Sequence, residues 1–162
     1  MDTQVTLRNL IRSELEETQR AYHGLLGTLT EADWNQPSGN PSLTVGDLMS
    51  HLADDVGVMV MLARGAQKGR GCNPPEWLFY LLNPLRVRWG ARNATRHTVG
   101  TKYDRGHAAL CALLETIPDG DWEKGASFLG RYTTVAGVFR LPVKHFAQHA
   151  TDIDKVLRHD QS

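Results

Sequence analysis

With 162 residues the chain has the length of one ordinary domain, enough to bury a core without disulfide or metal staples. Lys plus Arg number 18 and Asp plus Glu number 18, so no overall field draws the protein to nucleic acid or an acidic surface, and the expected partner is a small molecule. Met1-Asp2-Thr3-Gln4 opens no charged-then-apolar leader, no apolar run reaches bilayer-spanning length, and Cys72 and Cys111 form no CxxC. These features predict a cytoplasmic protein with reduced thiols and no membrane partner.

Along the chain the 3.6-residue period dominates. Val5, Leu7, Leu10, Ile11, Leu15, Gln19, Tyr22, Leu25 and Leu26 mark a first long helix, with Gly27 as its expected C-cap. Thr30, with Asp33 three residues later, caps a short turn that presents Trp34, and the stretch from Gln36 to Ser42 is loop. Thr44 with Asp47 opens a second helix, whose stripe of Val45, Leu48, Leu52, Met59 and Leu62 runs to about Gly65 and is broken by Asp55. From about 66 to 100 the pattern is least regular: turn-forming residues to Pro75, an apolar and aromatic stretch from Glu76 to Leu85, then a basic one from Arg86 to Arg96. A short helix is expected inside this insertion. Tyr103, His107, Leu110, Leu113, Leu114 and Ile117 mark a third helix, stopped by Pro118-Asp119-Gly120. Thr134, Val135, Val138, Phe139, Val143, Phe146, Ile153, Val156 and Leu157 mark a fourth, with a kink expected at Pro142.

His145 and His149 stand four residues apart on that last helix. Side chains at i and i+4 project from one face, so both imidazoles can reach one ion. A divalent ion of the zinc or nickel type needs at least a third protein ligand, and keeps an open position when it does chemistry. His51, at the edge of the second helix's apolar stripe, is the best candidate. Asp55, one turn beyond His51, could accept a hydrogen bond from a ligand imidazole, act as a general base, or simply be a polar residue at the bundle's open end. Asp152 is expected as a solvated helix flank and His107 as a hydrogen-bonded core histidine. His23, His97 and His159 fit solvated or capping roles. Trp34, Trp77, Trp89 and Tyr80 are expected to pack in the core or at the bundle ends. No Gly-x-Ser-x-Gly elbow, Walker loop or dinucleotide fingerprint occurs, which excludes serine-hydrolase, kinase and Rossmann chemistry.

Four long amphipathic helices, two of them bearing histidines, predict an all-α four-helix bundle with a site built from inward-facing side chains. The run Leu29-Thr30-Glu31-Ala32-Asp33-Trp34, the Pro/Gly loop after it, Leu43-Thr44-Val45-Gly46-Asp47-Leu48-Met49-Ser50-His51-Leu52 and the terminal His145-Phe146-Ala147-Gln148-His149 together resemble the DinB/YfiT-like superfamily. The resemblance covers nearly the whole chain except about 66 to 100. It implies a single bundle domain over 1–162 with a long crossover connection, and a divalent metal held by the triad His51, His145 and His149. It also implies either a thiol S-transferase using a low-molecular-weight thiol or a metal-dependent hydrolase.

Three neutral imidazoles leave an ion's charge uncompensated and lower the pKa of whatever occupies the open position. Activating a thiol gives an S-transferase acting on a small electrophile; activating water gives a hydrolase. No general base is assured beside the triad, and Arg86, Arg88, Arg92 and Arg96 offer a basic rim for a thiol cosubstrate, which together favour thiol transfer. The remaining alternative is a non-catalytic, stress-related bundle that binds a metal or ligand. Bundles of this kind pair, so a homodimer is expected.

Overall fold

The computed structural model describes residues 3–39 and 42–159. Met1, Asp2, Asn40, Pro41, Asp160, Gln161 and Ser162, and the side chains of Thr3, Gln4, Val5, Thr6, Tyr80 and His159, lie outside the described residues. In chain order the elements are α1 (Thr3–Thr28), α2 (Glu31–Asn35), α3 (Val45–Gln67), α4 (Glu76–Ala91), α5 (Arg96–Thr116), the strands β1 (Gly125–Phe128) and β2 (Arg131–Thr134), and α6 (Val135–His159). The four long helices α1, α3, α5 and α6 form the bundle. Helix α3 packs against α5 and α6, and α1 packs against the same two. Consecutive α1 and α3 therefore stand diagonally opposed, and the segment through α2 makes the crossover between them.

Helix starts follow side-chain chemistry closely. Thr30 with Asp33 and Thr44 with Asp47 each form a reciprocal capping box, so the two orphan amide ends are satisfied where the sequence pattern puts them. A third box, Thr95 with Thr98, opens α5 seven residues before the apolar period becomes visible at Tyr103. At the other end of α1 the expectation fails. The helix runs through Gly27 to Thr28, and the positive-φ glycines among the described residues are Gly69 and Gly130. Helix α6 continues through Pro142, which sits inside it.

The segment between α3 and α5 is more ordered than its composition suggests, because α4 is 16 residues long and packs on α3. A two-stranded antiparallel hairpin, absent from the periodicity reading, joins α5 to α6. Gly125 pairs with Thr134 and Phe128 with Arg131, and the turn is Leu129-Gly130, both with positive φ (51° and 77°). That is the backbone twist two-residue hairpins favour, here with a leucine at a position usually held by Asn or Gly. Cys72 ties the loop after α3 to this hairpin by donating its amide to Ser127 O at 3.1 Å, while Cys72 O accepts from Leu129 N at 3.0 Å. Both cysteines are free thiols.

The core is filled by Ile11, Leu15 and Tyr22 of α1, Met49, Leu52 and Val56 of α3, Tyr103, Leu110 and Leu114 of α5, and Val138, Phe139 and Ile153 of α6. At its centre the Tyr22 and Tyr103 rings stack with centroids 4.0 Å apart. The Tyr22 hydroxyl donates to Met49 O at 3.0 Å, so its burial leaves no lone donor. Glycine lets elements approach closely at two points that bear on α3. A Cβ on Gly46 would fall inside the Trp34 indole, which seats α2 on the first turn of α3, and a Cβ on Gly106 would press on the Gly57 backbone where α5 crosses α3. No helix among the described residues is long and apolar enough to cross a membrane.

Candidate metal centre

His51 is positioned by the start of α3. The Thr44 box sets the helix register, Gly46 lets Trp34 clamp the first turn, and His51 then falls on the buried side beside Leu48 and Leu52. His145 and His149 come from the facing helix α6, one turn apart on one face. The three rings converge. Centroids are 4.9 Å apart for His51 and His145, 5.6 Å for His51 and His149, and 4.6 Å for His145 and His149. One ligand nitrogen from each ring lies within 4.8 Å of the other two, and among the described residues this is the group of His, Cys, Asp and Glu side chains arranged to hold a metal ion. Ion-bound nitrogens at about 2.0–2.1 Å from a metal would sit slightly closer together, so the set fits a small divalent ion after modest adjustment.

The state of the nitrogens supports the fit. His145 Nε2 and His149 Nε2 face each other at 2.9 Å, and His51 Nδ1 and His149 Nδ1 are buried with no hydrogen-bond partner. Buried unpaired nitrogens are costly unless something satisfies them. Asp55, mostly buried on α3, places Oδ2 at 3.0 Å from His145 Nδ1 and 3.4 Å from His51 Nε2. A proton on His145 Nδ1 is thereby held toward the carboxylate, and Nε2 keeps its lone pair for the centre, the usual arrangement of a ligand histidine and its supporting carboxylate. Arg86 of α4 approaches the other Asp55 oxygen at 3.6 Å. Asp152 Oδ2 lies 3.9 Å from His149 Nδ1, beyond hydrogen-bond distance, and leaves that nitrogen unpaired.

These contacts decide protonation. Burial opposes the charged Asp55 carboxylate, but the hydrogen bond from His145 and the charges of His51, His145 and Arg86 outweigh it and hold the group below its ordinary range. Burial pushes the His51 imidazole down despite Asp55. Burial, with the neighbouring His145 and His51, pushes His149 down to about 4. Both rings are therefore neutral near pH 7, the form that ligates metal.

The triad forms part of the wall of a cavity of about 710 Å³. Leu43, Leu48 and Met59 make its apolar side, α4 supplies Phe79, Asn83 and Arg86, and the hairpin supplies Phe128 and Arg131. Of the four arginines expected on the rim, Arg86 is there. Arg88 is exposed elsewhere on α4, Arg92 lines a separate cavity, and Arg96 donates to Leu29 O. In their place stand Arg131 and Lys144, both exposed cations lining the cavity. The sequence concealed Arg131 because the hairpin was not visible; Lys144 was signalled only by its place next to His145.

His107 and His23 lie apart from the centre. His107 is buried beside Cys111, Nε2 to Sγ 3.6 Å, and His23 pairs with Asp104 at 2.6 Å. Trp34 packs on α3 as expected. Trp77 and Trp89 do not pack in the core or at a bundle end, because α4 turns them outward into solvent.

The family model described as the DinB superfamily matches residues 14–153, a span that holds the whole triad and Asp55. No curated protein matches the chain. Among solved structures the chain is similar to YfiT from Bacillus subtilis, described as a probable metal-dependent hydrolase with an unusual four-helix bundle topology. The identity is 18% and the TM-score 0.74, over 95% of this chain and 87% of that one. It is also similar to the mycothiol-dependent maleylpyruvate isomerase, with 16% identity and a TM-score of 0.72 over 94% of this chain. A histidine-to-alanine mutant of that isomerase matches with 15% identity and a TM-score of 0.71. The chain spans 63% of the isomerase's length. At these identities the likenesses show the fold.

Proposed function

The chain belongs to the DinB superfamily, and from that membership we propose that it is a divalent-metal-dependent enzyme, a low-molecular-weight-thiol S-transferase acting on a small electrophile, with His51, His145 and His149 as the ligands. The observation that carries this reading is the convergence of three imidazoles, with ligand atoms within 4.8 Å of one another, on the wall of a cavity of about 710 Å³. Zinc and nickel are the ions that suit an all-nitrogen set of this kind. When bound, such an ion supplies a Lewis acid that lowers the pKa of a thiol or water.

The chain's own residues have separable tasks in this reading. The triad offers neutral nitrogens, and Asp55 fixes the His145 tautomer as a positioning residue, itself anchored by Arg86. Leu43, Leu48, Met59 and Phe128 give the electrophile's carbon skeleton an apolar wall. Arg131 and Lys144 place positive charge where an anionic thiol cosubstrate would enter. In the transfer the thiol gives up its proton, sulfur forms a bond to carbon, and the carbon's bond to the leaving group breaks with its electron pair. That step needs no further base once the thiol is ionised. Asp55 is a weak base because, despite burial, the hydrogen bond from His145 and the nearby Arg86 hold its carboxyl below the ordinary range, which supports thiol transfer over hydrolysis.

Hydrolysis is the second reading. It is favoured by the fold likeness to YfiT, described as a probable metal-dependent hydrolase, and in it Asp55 serves as the base. The domain is read as one unit over 1–162, working in the cytoplasm, and the assembled form as a homodimer. Metal-loaded protein offered a panel of thiols with an alkyl halide or epoxide should form the thioether, and His51→Ala should not. Cleavage of an ester or amide panel with no thioether formed would replace transfer by hydrolysis, and silence in both would leave a metal- or ligand-binding bundle.

A further inference from the structure

Helix α4 has one face committed and one bare. Phe79, Asn83, Arg86 and Val87 turn inward to the metal-site cavity. On the opposite side Trp77, Leu81, Leu85 and Trp89 recur every four residues with 68%, 61%, 61% and 74% of their surface exposed, and Leu82 beside them is 48% exposed. Rotation of α4 cannot bury this stripe, because it would lift Arg86 and Val87 off the cavity. The five side chains present on the order of 600 Å² of apolar surface, at the upper end of what a monomer leaves to water.

We infer that this stripe is the contact surface for a second copy of the chain, α4 against α4 across a two-fold axis. Two features single out this occupant. A row of residues at i, i+4, i+8 and i+12 is the ridge that packs into the matching groove of another helix in the commonest crossing class, at about −50°. The row also reads the same in both directions, Trp-Leu-Leu-Trp, so an antiparallel copy sets Trp77 against Trp89 and Leu81 against Leu85, as an isologous interface demands. The area agrees. Burial on both copies removes roughly 1,200 Å², the lower bound of a specific stable interface. A lipid surface suits the face less well. A helix lying on a membrane opposes its apolar stripe with a solvated cationic face, whereas here the opposite face is packed against the bundle. This inference does not depend on the metal-site reading.

Sedimentation velocity of the full chain over a dilution series tests it, with flotation on vesicles of mixed neutral and anionic phospholipid as a second arm. The wild type should sediment at twice the chain mass of 18.1 kDa. Leu81→Glu combined with Leu85→Glu should give the monomer with unchanged helical circular dichroism, since both positions are exposed. Leu10→Glu, at an exposed apolar residue of α1, should remain dimeric. The inference is overturned if the wild type is a monomer throughout, if it floats with vesicles and the double variant does not, or if the double variant stays a dimer.

Discussion

The Asp55 carboxylate lies 3.0 Å from the Nδ1 of His145, with its other oxygen toward Arg86. Asp55→Asn keeps the shape but loses the charge that holds the imidazole proton on Nδ1. Zinc or nickel affinity, read by competition with a chromophoric chelator, should fall about 10- to 100-fold while the fold is retained. An unchanged affinity would mean that Asp55 is only a polar wall residue.

Stability should not depend on the ion. The core of Tyr22, Met49, Tyr103, Leu110 and Phe139 is complete without it, so chelation, or His145→Ala, should remove metal binding and leave the far-ultraviolet circular dichroism of a helical protein. Collapse of the helical signal on chelation would make the ion structural.

Acid should weaken the metal-free protein in a defined window. His149 is pushed from 6.5 down to about 4, and His51 is lowered as well, mainly by burial. The unfolded chain takes up these protons near pH 6.5 while the native state resists them, so stability is full above that pH and drains as pH falls toward about 4. The urea midpoint of apo protein should drop across this range, and His149→Gln should shrink the drop. His51 and His107 remain to account for part of it. An identical decline in the variant would show that His149 is not held neutral by its surroundings.

The seat of α2 on α3 is a separate point of failure. Gly46→Ala would drive a methyl group into Trp34, and the forced shift should cost about 1–3 kcal/mol. Urea unfolding measures it; Trp34→Ala in the same chain should recover part of the Gly46→Ala loss, because the clash is gone.

Much of the site could be read directly because it rests on local rules. Helix spacing brings His145 and His149 together whatever the rest of the chain does, and the Thr44–Asp47 box sets the phase that aims His51 inward. What escaped depends on tertiary placement or weak local signals. Thr95 and Thr98 cap α5 with two hydroxyls instead of an acid, so its true start was hidden. Four-residue strands are too short to show a period, and Leu129 is not a residue that announces a turn, so the hairpin and Arg131 went unseen. Trp77 and Trp89 look like core residues by composition; only the packing of α4 on α3 shows that they face outward.

Every role proposed for the site requires that His51, His145 and His149 share one ion. The direct measurement is the metal content of wild type and of each His→Ala variant after loading with zinc or nickel and desalting. Wild type should retain about one ion per chain, and His51→Ala, His145→Ala and His149→Ala should each retain little or none, since a two-histidine remnant binds weakly. Full metal content in His149→Ala, with the variant folded, would contradict the triad.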